Sequence, residues 1–264
     1  MASSSAKDVS ALRQMTGAGI LDCRNALEES GGDIEEAAKL LRMKGLSGAA
    51  KRSDREASEG AVAVARSGDA AAVVELRCET DFVAKAEEFV ALADELAGLV
   101  AAKGEDAAGD LDEAIDGLRS TLKENISVGR VRRLVAEPGQ LLDTYLHQQA
   151  GRGVNGVAVV IEGGTDELAH DIAVHIAFTK PTYLSRDEVP EAEVAAERAT
   201  VAEISRNEGK PEAAMEKIVE GRMTGWFKER VLLDQAYVRD EKQTIAGMLG
   251  SARIVSFAQV VIGA

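Results

Sequence analysis

The short segment Glu79-Thr80-Asp81-Phe82-Val83-Ala84-Lys85 carries the residue types best suited to act on another molecule. An apolar run, Ala71 to Cys78, leads into it and an amphipathic pattern follows it. Thr80 and Asp81 are favourable N-cap residues, because their oxygens can accept hydrogen bonds from the free N–H groups of a first helical turn. Such a helix entry can present a carboxylate and an aromatic ring side by side. The alternative is that Asp81 only caps the helix and Phe82 packs in the core, where a lone phenylalanine is usually found.

The composition is that expected for a soluble globular protein with an ample core. The 264 residues are 45% hydrophobic and 29% charged, which allows one large domain or two to three small ones. The net charge is −14 and the isoelectric point is about 4.8. This acidity argues against direct nucleic-acid binding, which needs clustered lysine and arginine against phosphates. We therefore expect no direct contact with nucleic acid.

Cysteine usage and the absence of long apolar runs favour a cytoplasmic protein. Cys23 and Cys78 lie far apart in apolar patterns, so we expect two buried, reduced thiols. Met1 to Ser5 is not followed by an apolar run, and we expect no signal peptide. No stretch approaches the roughly 18 apolar residues of a membrane-spanning helix, so no contact with a membrane is expected.

Neither of two common nucleotide-binding motifs is predicted for this chain. Gly151 to Gly156 fits the pattern G-x-G-x-x-G, but the dinucleotide fingerprint needs a strand before it and a helix after it. Here an apolar run typical of a strand, Val157 to Ile161, comes after, so these glycines are predicted to form a hairpin turn. The phosphate-binding pattern G-x-x-x-x-G-K-[ST] is absent from the sequence.

The histidines and cysteines do not form a pattern typical of a metal site or of nucleophilic catalysis. His170 and His175 share a predicted helix but lie about 140° apart around it, which is poor geometry for one metal ion. Three histidines leave few partners for a catalytic triad. We therefore expect no metal, no cofactor, no small-molecule substrate and no enzymatic activity. His147 follows Tyr145 on the same face of a strand; it is either a surface contact or a core histidine, and the core location is favoured.

The N-terminal residues 1–45 are predicted to form three short helices. Gly31-Gly32 ends the second helix, and Asp33 caps the third with Glu36 three residues on, as in a capping box. Gly45 is expected to end the third helix. Residues 46–60 are small and charged, and they predict a partly helical linker.

The middle of the chain predicts two related α+β subdomains, 61–140 and 141–188. The first subdomain is predicted to begin with a hairpin of Ala61–Ala65 and Ala71–Cys78. A long helix from Asp81 to about Lys103, an acidic helix at Leu111–Glu124 and a strand at Val131–Ala136 follow. The second gives a hairpin and a helix, at Leu141–His147 with Gly156–Glu162 and from Thr165-Asp166 onward. Thr80-Asp81 and Thr165-Asp166 lie 85 residues apart, and apolar positions before and after them match at the same offset. One strand–turn–helix unit is thus predicted to occur twice.

The remainder of the chain predicts a helical hairpin and a C-terminal segment. Residues 189–230 show two charged helical patterns joined by the turn Gly209-Lys210-Pro211. Residues 231–264 show a short helix at Thr244–Leu249 and a strand at Ile254–Ile262, which we expect to complete the core. The predicted fold class is α+β, with an N-terminal three-helix bundle, two related subdomains, an inserted helical hairpin and a short C-terminal module.

Several motifs in the same order along the chain resemble the elongation factor Ts family. In the N-terminal part these are Leu12-Arg13, Thr16-Gly17-Ala18-Gly19, Asp22-Cys23, Ala26-Leu27, Gly32-Asp33 and Leu41-Arg42-x-Lys44-Gly45. The core matches through Thr80-Asp81-Phe82-Val83-Ala84-Lys85, and the hairpin region through Gly209-Lys210-Pro211 and Val219-Glu220-Gly221-Arg222-Met223. Two features depart from the family: Ala86 stands where the family often has Asn or Thr, and the loop after His147 is longer and less regular than the family's glycine-rich form.

The resemblance implies a guanine-nucleotide exchange factor that binds elongation factor Tu in its GDP-bound and nucleotide-free states. It implies that the bundle is like a ubiquitin-associated domain and docks on the nucleotide-binding domain of that partner. The implied partner-binding residues are Leu12, Arg13, Thr16, Gly17, Ala18, Gly19 and His147. Thr80, Asp81, Phe82 and Val83 are implied to dislocate Mg²⁺ from elongation factor Tu, with Phe82 as a wedge between partner helices and Asp81 beside it.

Two other interpretations stay open from the sequence. One is a non-catalytic binding module, in which the bundle docks partner peptides and the rest is a scaffold. The other is an enzyme whose site lies between the two α+β subdomains.

Overall fold

The computed structural model describes residues 5–50 and 54–264 and confirms the α+β class. The helices are α1 Ala6–Thr16, α2 Ile20–Glu29, α3 Ile34–Ala50, α4 Asp81–Ala84, α5 Glu87–Lys103, α6 Asp112–Leu122, α7 Asp166–Thr179, α8 Glu191–Asn207, α9 Met215–Arg230 and α10 Ile245–Leu249. The strands are β1 Glu59–Ser67, β2 Ala70–Cys78, β3 Ser127–Val135, β4 Gln140–Gln149, β5 Arg152–Glu162, β6 Ala236–Tyr237, β7 Asp240–Thr244 and β8 Arg253–Val261. Among the described residues, no helix is both long enough and apolar enough to cross a membrane.

The N-terminal bundle has a small core of its own, and the predicted cap of its third helix is confirmed. Leu12, Cys23 and Leu27 are fully buried between the three helices. The Asp33 carboxylate accepts hydrogen bonds from the backbone N–H groups of Glu35 and Glu36, at 2.9 and 3.0 Å. These bonds satisfy two of the free donors at the start of α3.

The prediction that Gly45 ends the third helix is wrong, because α3 continues to Ala50. A Cβ atom at Gly45 would lie 2.7 Å from the Ser120 Oγ atom and 2.9 Å from its Cβ atom. The glycine therefore serves close packing of α3 against α6, and helix ending is not its role. The ion pair Arg42–Glu113 joins the bundle to the same helix, and the ion pair Lys123–Asp22 joins it to the residue directly after that helix. Thus α3 runs into the segment expected to be a linker, and residues 51–53 of that segment lie outside the described residues.

Two three-stranded antiparallel sheets form the centre of the molecule, ordered β1-β2-β3 and β4-β5-β8. Both hairpins agree with the prediction, and the C-terminal strand β8 pairs with β5. Helix α5 covers the outer face of the first sheet and α7 that of the second. The inner faces pack on each other through aliphatic side chains of Val62, Val73, Leu142, Val160 and Val260.

A carboxylate also lies in the centre of β2. The Glu75 side chain is 1% exposed and pairs with Arg77 at 2.9 Å and Arg130 at 3.2 Å. Burial raises the pKa of this carboxyl, but the hydrogen bonds from Arg130 and Arg77 outweigh burial and hold the pKa below its usual value. A Cβ atom at Gly129 would lie 2.4 Å from a Glu75 oxygen, so a glycine is needed beside this charge group.

The strand–turn–helix unit occurs twice, as predicted, but the two copies differ after the turn. Thr80 and Thr165 have similar backbone angles, and each side chain accepts a hydrogen bond from the N–H group three residues on. The predicted single helix from Asp81 to Lys103 is wrong: α4 ends at Ala84, and α5 begins at Glu87 after the N-cap residue Ala86. In the second copy α7 is continuous.

The connection after His147 is shorter than expected. Strands β4 and β5 pair as far as Gln149 and Arg152, which leaves a two-residue turn of Ala150 and Gly151. Both turn residues have positive φ, 52° and 83°, as in the hairpin turns that match strand twist. The expected long irregular loop is therefore wrong, and the predicted hairpin turn holds for Gly151 while Gly153 and Gly156 lie in β5.

The predicted helical hairpin is present as α8 and α9. Its contact face is formed by Val201, Met215, Val219, Met223 and Phe227, all of which are buried. Ile204, near the C-terminal end of α8, is 42% exposed.

Candidate functional site

The turn between β2 and α4 is capped by one residue of the predicted pair. The Thr80 Oγ1 atom accepts a hydrogen bond from the Val83 N–H group at 3.4 Å, and Asp81 is the first residue of α4. The Asp81 carboxylate is therefore not used as the cap and remains at the surface.

Two carboxylates to which the sequence analysis assigned no role hold this turn in place. Glu124 accepts hydrogen bonds from the backbone N–H groups of Glu79 and Thr80, at 3.0 and 3.1 Å, and from the Thr80 hydroxyl at 2.5 Å. Glu79 in return accepts from the Asn125 backbone N–H group at 2.7 Å. The Asn125 side chain also donates to the Arg55 carbonyl at 2.7 Å. The turn before α4 and the segment before β3 thus fix each other, which preorganises the turn before any partner arrives.

Phe82 lies on the outside of this fixed turn. Its side chain is 83% exposed, while Ala84, two residues on, is fully buried, and Val83 packs partly against the core. The alternative that Phe82 packs in the core is therefore wrong. Holding an aromatic ring in water on an ordered turn leaves most of its apolar surface free to be buried by another molecule.

Asp81 presents a charged carboxylate next to this ring. The Lys85 ammonium donates a hydrogen bond to the Asp81 carboxylate at 2.5 Å. This bond, with a smaller contribution from Arg152, holds the pKa of the Asp81 carboxyl below its usual value. Asp81 is consequently ionised at neutral pH.

The N-terminal motif forms a second exposed turn, between α1 and α2. Leu12 is fully buried in the bundle core, so it supports this turn from within, whereas Arg13 is exposed. The Thr16 hydroxyl donates to the Leu12 carbonyl at 2.7 Å. Gly17 ends α1 with φ 65°, a conformation that favours glycine, and Ala18 and Gly19 lead into α2.

Large apolar side chains beside this turn were missed by the sequence analysis. Ile20 and Leu21 are 61% and 64% exposed at the start of α2. The signal available in the sequence was two large apolar residues at the start of a short helix whose buried face is already supplied by Cys23, Ala26 and Leu27. A cleft of about 1110 Å³ runs between the bundle and α6, and Met15, Thr16 and Ala18 line it.

The histidines occupy three different environments. His147 is exposed near the end of β4, so its favoured location in the core is wrong. His170 lies 3.0 Å from Asp143 at the surface, and His175 is buried with its Nε2 atom 3.0 Å from the Gln235 amide oxygen. The part of the chain that the structure describes contains no group of three or more His, Cys, Asp or Glu side chains placed to hold a metal ion.

Between the inner faces of the two sheets the described residues form an apolar cluster. Aliphatic side chains fill the space between the two inner faces. Cys23 and Cys78 are both buried free thiols, as predicted. Burial raises the pKa of the Cys78 thiol to about 12, which keeps it protonated and unreactive at neutral pH.

Comparison with known proteins agrees with the motifs. The family model described as Elongation factor TS matches residues 79–264. Proteins named Elongation factor Ts from Clavibacter sepedonicus and Kineococcus radiotolerans are each 46% identical over 278 aligned residues, and the one from Micrococcus luteus is 43% identical over 284. Each of these alignments covers all of this chain and all of the relative. With the family model matching most of the chain and relatives matching all of it, this chain belongs to the elongation factor Ts family.

Proposed function

We propose that this chain acts in translation elongation as a guanine-nucleotide exchange factor for elongation factor Tu. It binds the GDP-bound partner, displaces Mg²⁺, promotes GDP release and leaves the nucleotide-free partner ready to take up GTP. It acts in the cytoplasm on a protein partner, converts no substrate and needs no cofactor, membrane or nucleic acid. The observation that carries the proposal is the exposed Phe82 ring on the turn of Thr80 to Val83, which hydrogen bonds to Glu124 hold in place.

An exchange factor must bind the nucleotide-free partner more tightly than the nucleotide-bound one, because equal affinity for both states shifts no equilibrium. Inserting Phe82 between partner helices moves the elements that hold Mg²⁺, so the insertion is favourable only when the nucleotide site is open. Mg²⁺ is the largest local charge in a GTPase nucleotide site. The ionised Asp81 next to the ring disturbs that environment through charge and hydrogen bonding.

The N-terminal bundle supplies a second contact with the nucleotide-binding domain of the partner. Arg13, Gly17 and Gly19 lie at the surface of the α1–α2 turn, and Ile20 and Leu21 extend it with apolar area. Thr16 and Ala18 are half-buried and line the cleft against α6, and Leu12 acts through core packing. Contacts at two separated places give the orientation that a wedge needs in order to open a site.

Linkage between the two ligands tests the proposal against a simple binding module. GDP and this chain must weaken each other's binding to elongation factor Tu by the same factor. We expect calorimetry to show much tighter binding of this chain to nucleotide-free partner than to the Mg²⁺·GDP complex. Equal affinity for the two forms would favour the non-catalytic module.

A further inference from the structure

The outer edge of β8 has no strand beside it. β8 is the last strand of the second sheet, and among the described residues it pairs with β5 alone. Between Arg253 and Val261 its sequence contains neither a charged residue nor a proline, the residue types that commonly keep another strand from pairing with a sheet edge. The edge strand β3 of the first sheet, in contrast, carries Arg130, Arg132 and Arg133. The edge of β8 can therefore accept a further strand.

The backbone hydrogen bonds of β8 identify the residues that face this open edge. The Ile262 N–H group donates to the Val154 carbonyl at 3.0 Å, so Ile262 faces β5. The Val261 carbonyl instead accepts a hydrogen bond from an arginine of β3, which is not part of this sheet. Backbone groups alternate in direction along a strand, and no register shift lies between Val261 and Phe257. Phe257 and Gln259 therefore point their N–H and C=O groups away from β5.

A groove of about 530 Å³ runs along this edge. Its floor is formed by residues Val255 to Gln259 of β8, which span about 13 Å at 3.3 Å per residue. One wall comes from β3 of the first sheet and the other from the segment that follows α7. The side chains of Leu134, Leu184 and Phe257 give the lining apolar surface and are only partly buried. The groove thus has the length of about five residues of an extended chain.

Each wall of the groove carries a cation without a carboxylate partner among the described residues. Arg132 is exposed on β3 and donates to the adjacent Val131 carbonyl at 2.8 Å. Lys180 is exposed at the end of α7. The acidic side chain of the lining, Glu188, accepts a hydrogen bond from the Leu184 backbone N–H group at 2.7 Å. In a chain with a net charge of −14, two such cations on the two walls favour an anionic ligand.

We propose that this groove binds an extended acidic segment of a partner protein, which adds a strand to the edge of β8. Backbone groups of the segment pair with Phe257 and Gln259, as in other cases in which a peptide extends a sheet. Side chains of a strand point alternately to its two faces. Two adjacent acidic residues therefore reach opposite walls, one at Arg132 and the other at Lys180. The recognised sequence is an extended chain with two neighbouring carboxylates.

The other possible occupants match the groove less well. A second copy of this chain would offer its own β8, which contains no acidic residue to meet Arg132 and Lys180. Nucleic acid is disfavoured by the net charge of −14. The groove is also separate from the proposed exchange surface, because β8 and β4, which carries His147, are opposite edges of the second sheet. Peptide binding here goes beyond the proposed exchange activity and does not depend on it.

The test measures binding of a fluorescein-labelled peptide to the full chain by fluorescence polarisation. The peptide is a short chain of valine and threonine with two adjacent glutamates at its centre. One control peptide has lysines in place of the glutamates, and a second carries N-methyl groups on alternate residues, which removes the N–H groups needed for strand pairing. We expect both controls to bind at least about tenfold more weakly than the acidic peptide, which corresponds to about 1.4 kcal/mol.

Three variants of the chain locate the binding. Arg132→Ser and Lys180→Gly each remove one cation of the groove. Lys180 has φ 52°, a conformation that favours glycine at a helix end, so Lys180→Gly should keep the fold. Each variant should weaken binding of the acidic peptide about two- to fivefold, the range of exposed ion pairs. Arg66→Ser is the matched control, because Arg66 is an exposed arginine on β1, the opposite edge of the first sheet from β3, and it should bind the peptide as the wild type does.

Several results would overturn the proposal. No binding of the acidic peptide at about 1 mM, or equal binding of the lysine peptide, would exclude recognition of carboxylates. Equal binding of the N-methylated peptide would exclude strand pairing, and an equal loss in Arg66→Ser would reduce the effect to overall charge. A single-stranded oligonucleotide that binds more tightly than the peptide and is weakened by Arg132→Ser would assign the groove to nucleic acid. A dimer in sedimentation that keeps the peptide out would assign the edge to a second copy.

Discussion

Replacing Phe82 by alanine separates a contact role from a packing role, because the structure predicts very different costs for the two. The ring is 83% exposed, so the buried remainder of a side chain of about 200 Å² is about 35 Å². At about 25 cal/mol per Å², truncation costs less than about 1 kcal/mol of folding free energy. Phe89, seven residues on and fully buried, is the matched control, and Phe89→Ala should cost about 3–5 kcal/mol.

The same ring should matter far more for exchange. Full burial of a phenylalanine is worth about 1.5–3 kcal/mol, and most of this ring is available for burial in the partner. Each 1.4 kcal/mol is a factor of ten, so Phe82→Ala should slow stimulated GDP release by about 10- to 100-fold. Glu167 occupies the corresponding position in the second copy of the unit, and Glu167→Ala should leave exchange near normal.

Thermal melting and stopped-flow GDP release on the three variants check this reasoning. A Phe82→Ala protein that melts as low as Phe89→Ala would show that the ring is part of the core. A stable Phe82→Ala protein with normal exchange would refute the wedge.

Three further predictions follow from the bundle, the helix break and the buried histidine. Removing residues 1–53 should leave a folded core, because the two sheets have their own apolar clusters. The truncated protein should bind elongation factor Tu tenfold or more weakly. Unchanged affinity in calorimetry would place the bundle outside the interface. Ala86 is the N-cap residue of α5 and provides no side-chain cap. Ala86→Asn should therefore raise the free energy of unfolding by about 1 kcal/mol in denaturant titrations. A loss of stability would contradict the assignment of Ala86 as the N-cap residue. Burial lowers the pKa of His175 from its usual 6.5, although its bond to Gln235 opposes the shift. The unfolded chain then binds the proton more readily, so stability should be intact above about pH 6.5 and fall as the pH drops below it; an equally steep fall in His175→Gln would exclude this cause.

Local patterns predicted the elements that local interactions determine. Apolar runs ended by glycine turns predicted both hairpins, and the repeated Thr-Asp pair predicted two helix entries with the same cap. The Phe82 turn is held by hydrogen bonds between the segment at Glu79 and the segment at Glu124, which lie 45 residues apart. No local sequence pattern predicts such a long-range contact. Gly45 was predicted to end a helix, because a glycine after a helical pattern usually does so. Its glycine is instead required by the close approach of Ser120 on another helix. Similarly, the charge of Glu75 in an apolar strand is balanced by Arg77 on the same strand and by Arg130 from β3.

The exposure of the candidate residues also depended on tertiary structure. Phe82 and Phe89 are the same residue type on neighbouring helices, and only the packing of α5 on the first sheet makes one buried and the other exposed. The same holds for Leu12 and Arg13, of which the structure buries the first and exposes the second. Motifs therefore located the candidate surfaces, and packing decided which members of each motif can touch a partner.

The most direct test of the proposed exchange activity is turnover. Elongation factor Tu loaded with fluorescent GDP is mixed with excess unlabelled GDP and about one-twentieth as much of this chain, and release is followed to completion. We expect all of the labelled GDP to be released at a rate proportional to the amount of this chain, since each molecule is expelled by nucleotide and acts again. Accelerated release that stops at the amount of chain added, or no acceleration at all, would contradict it.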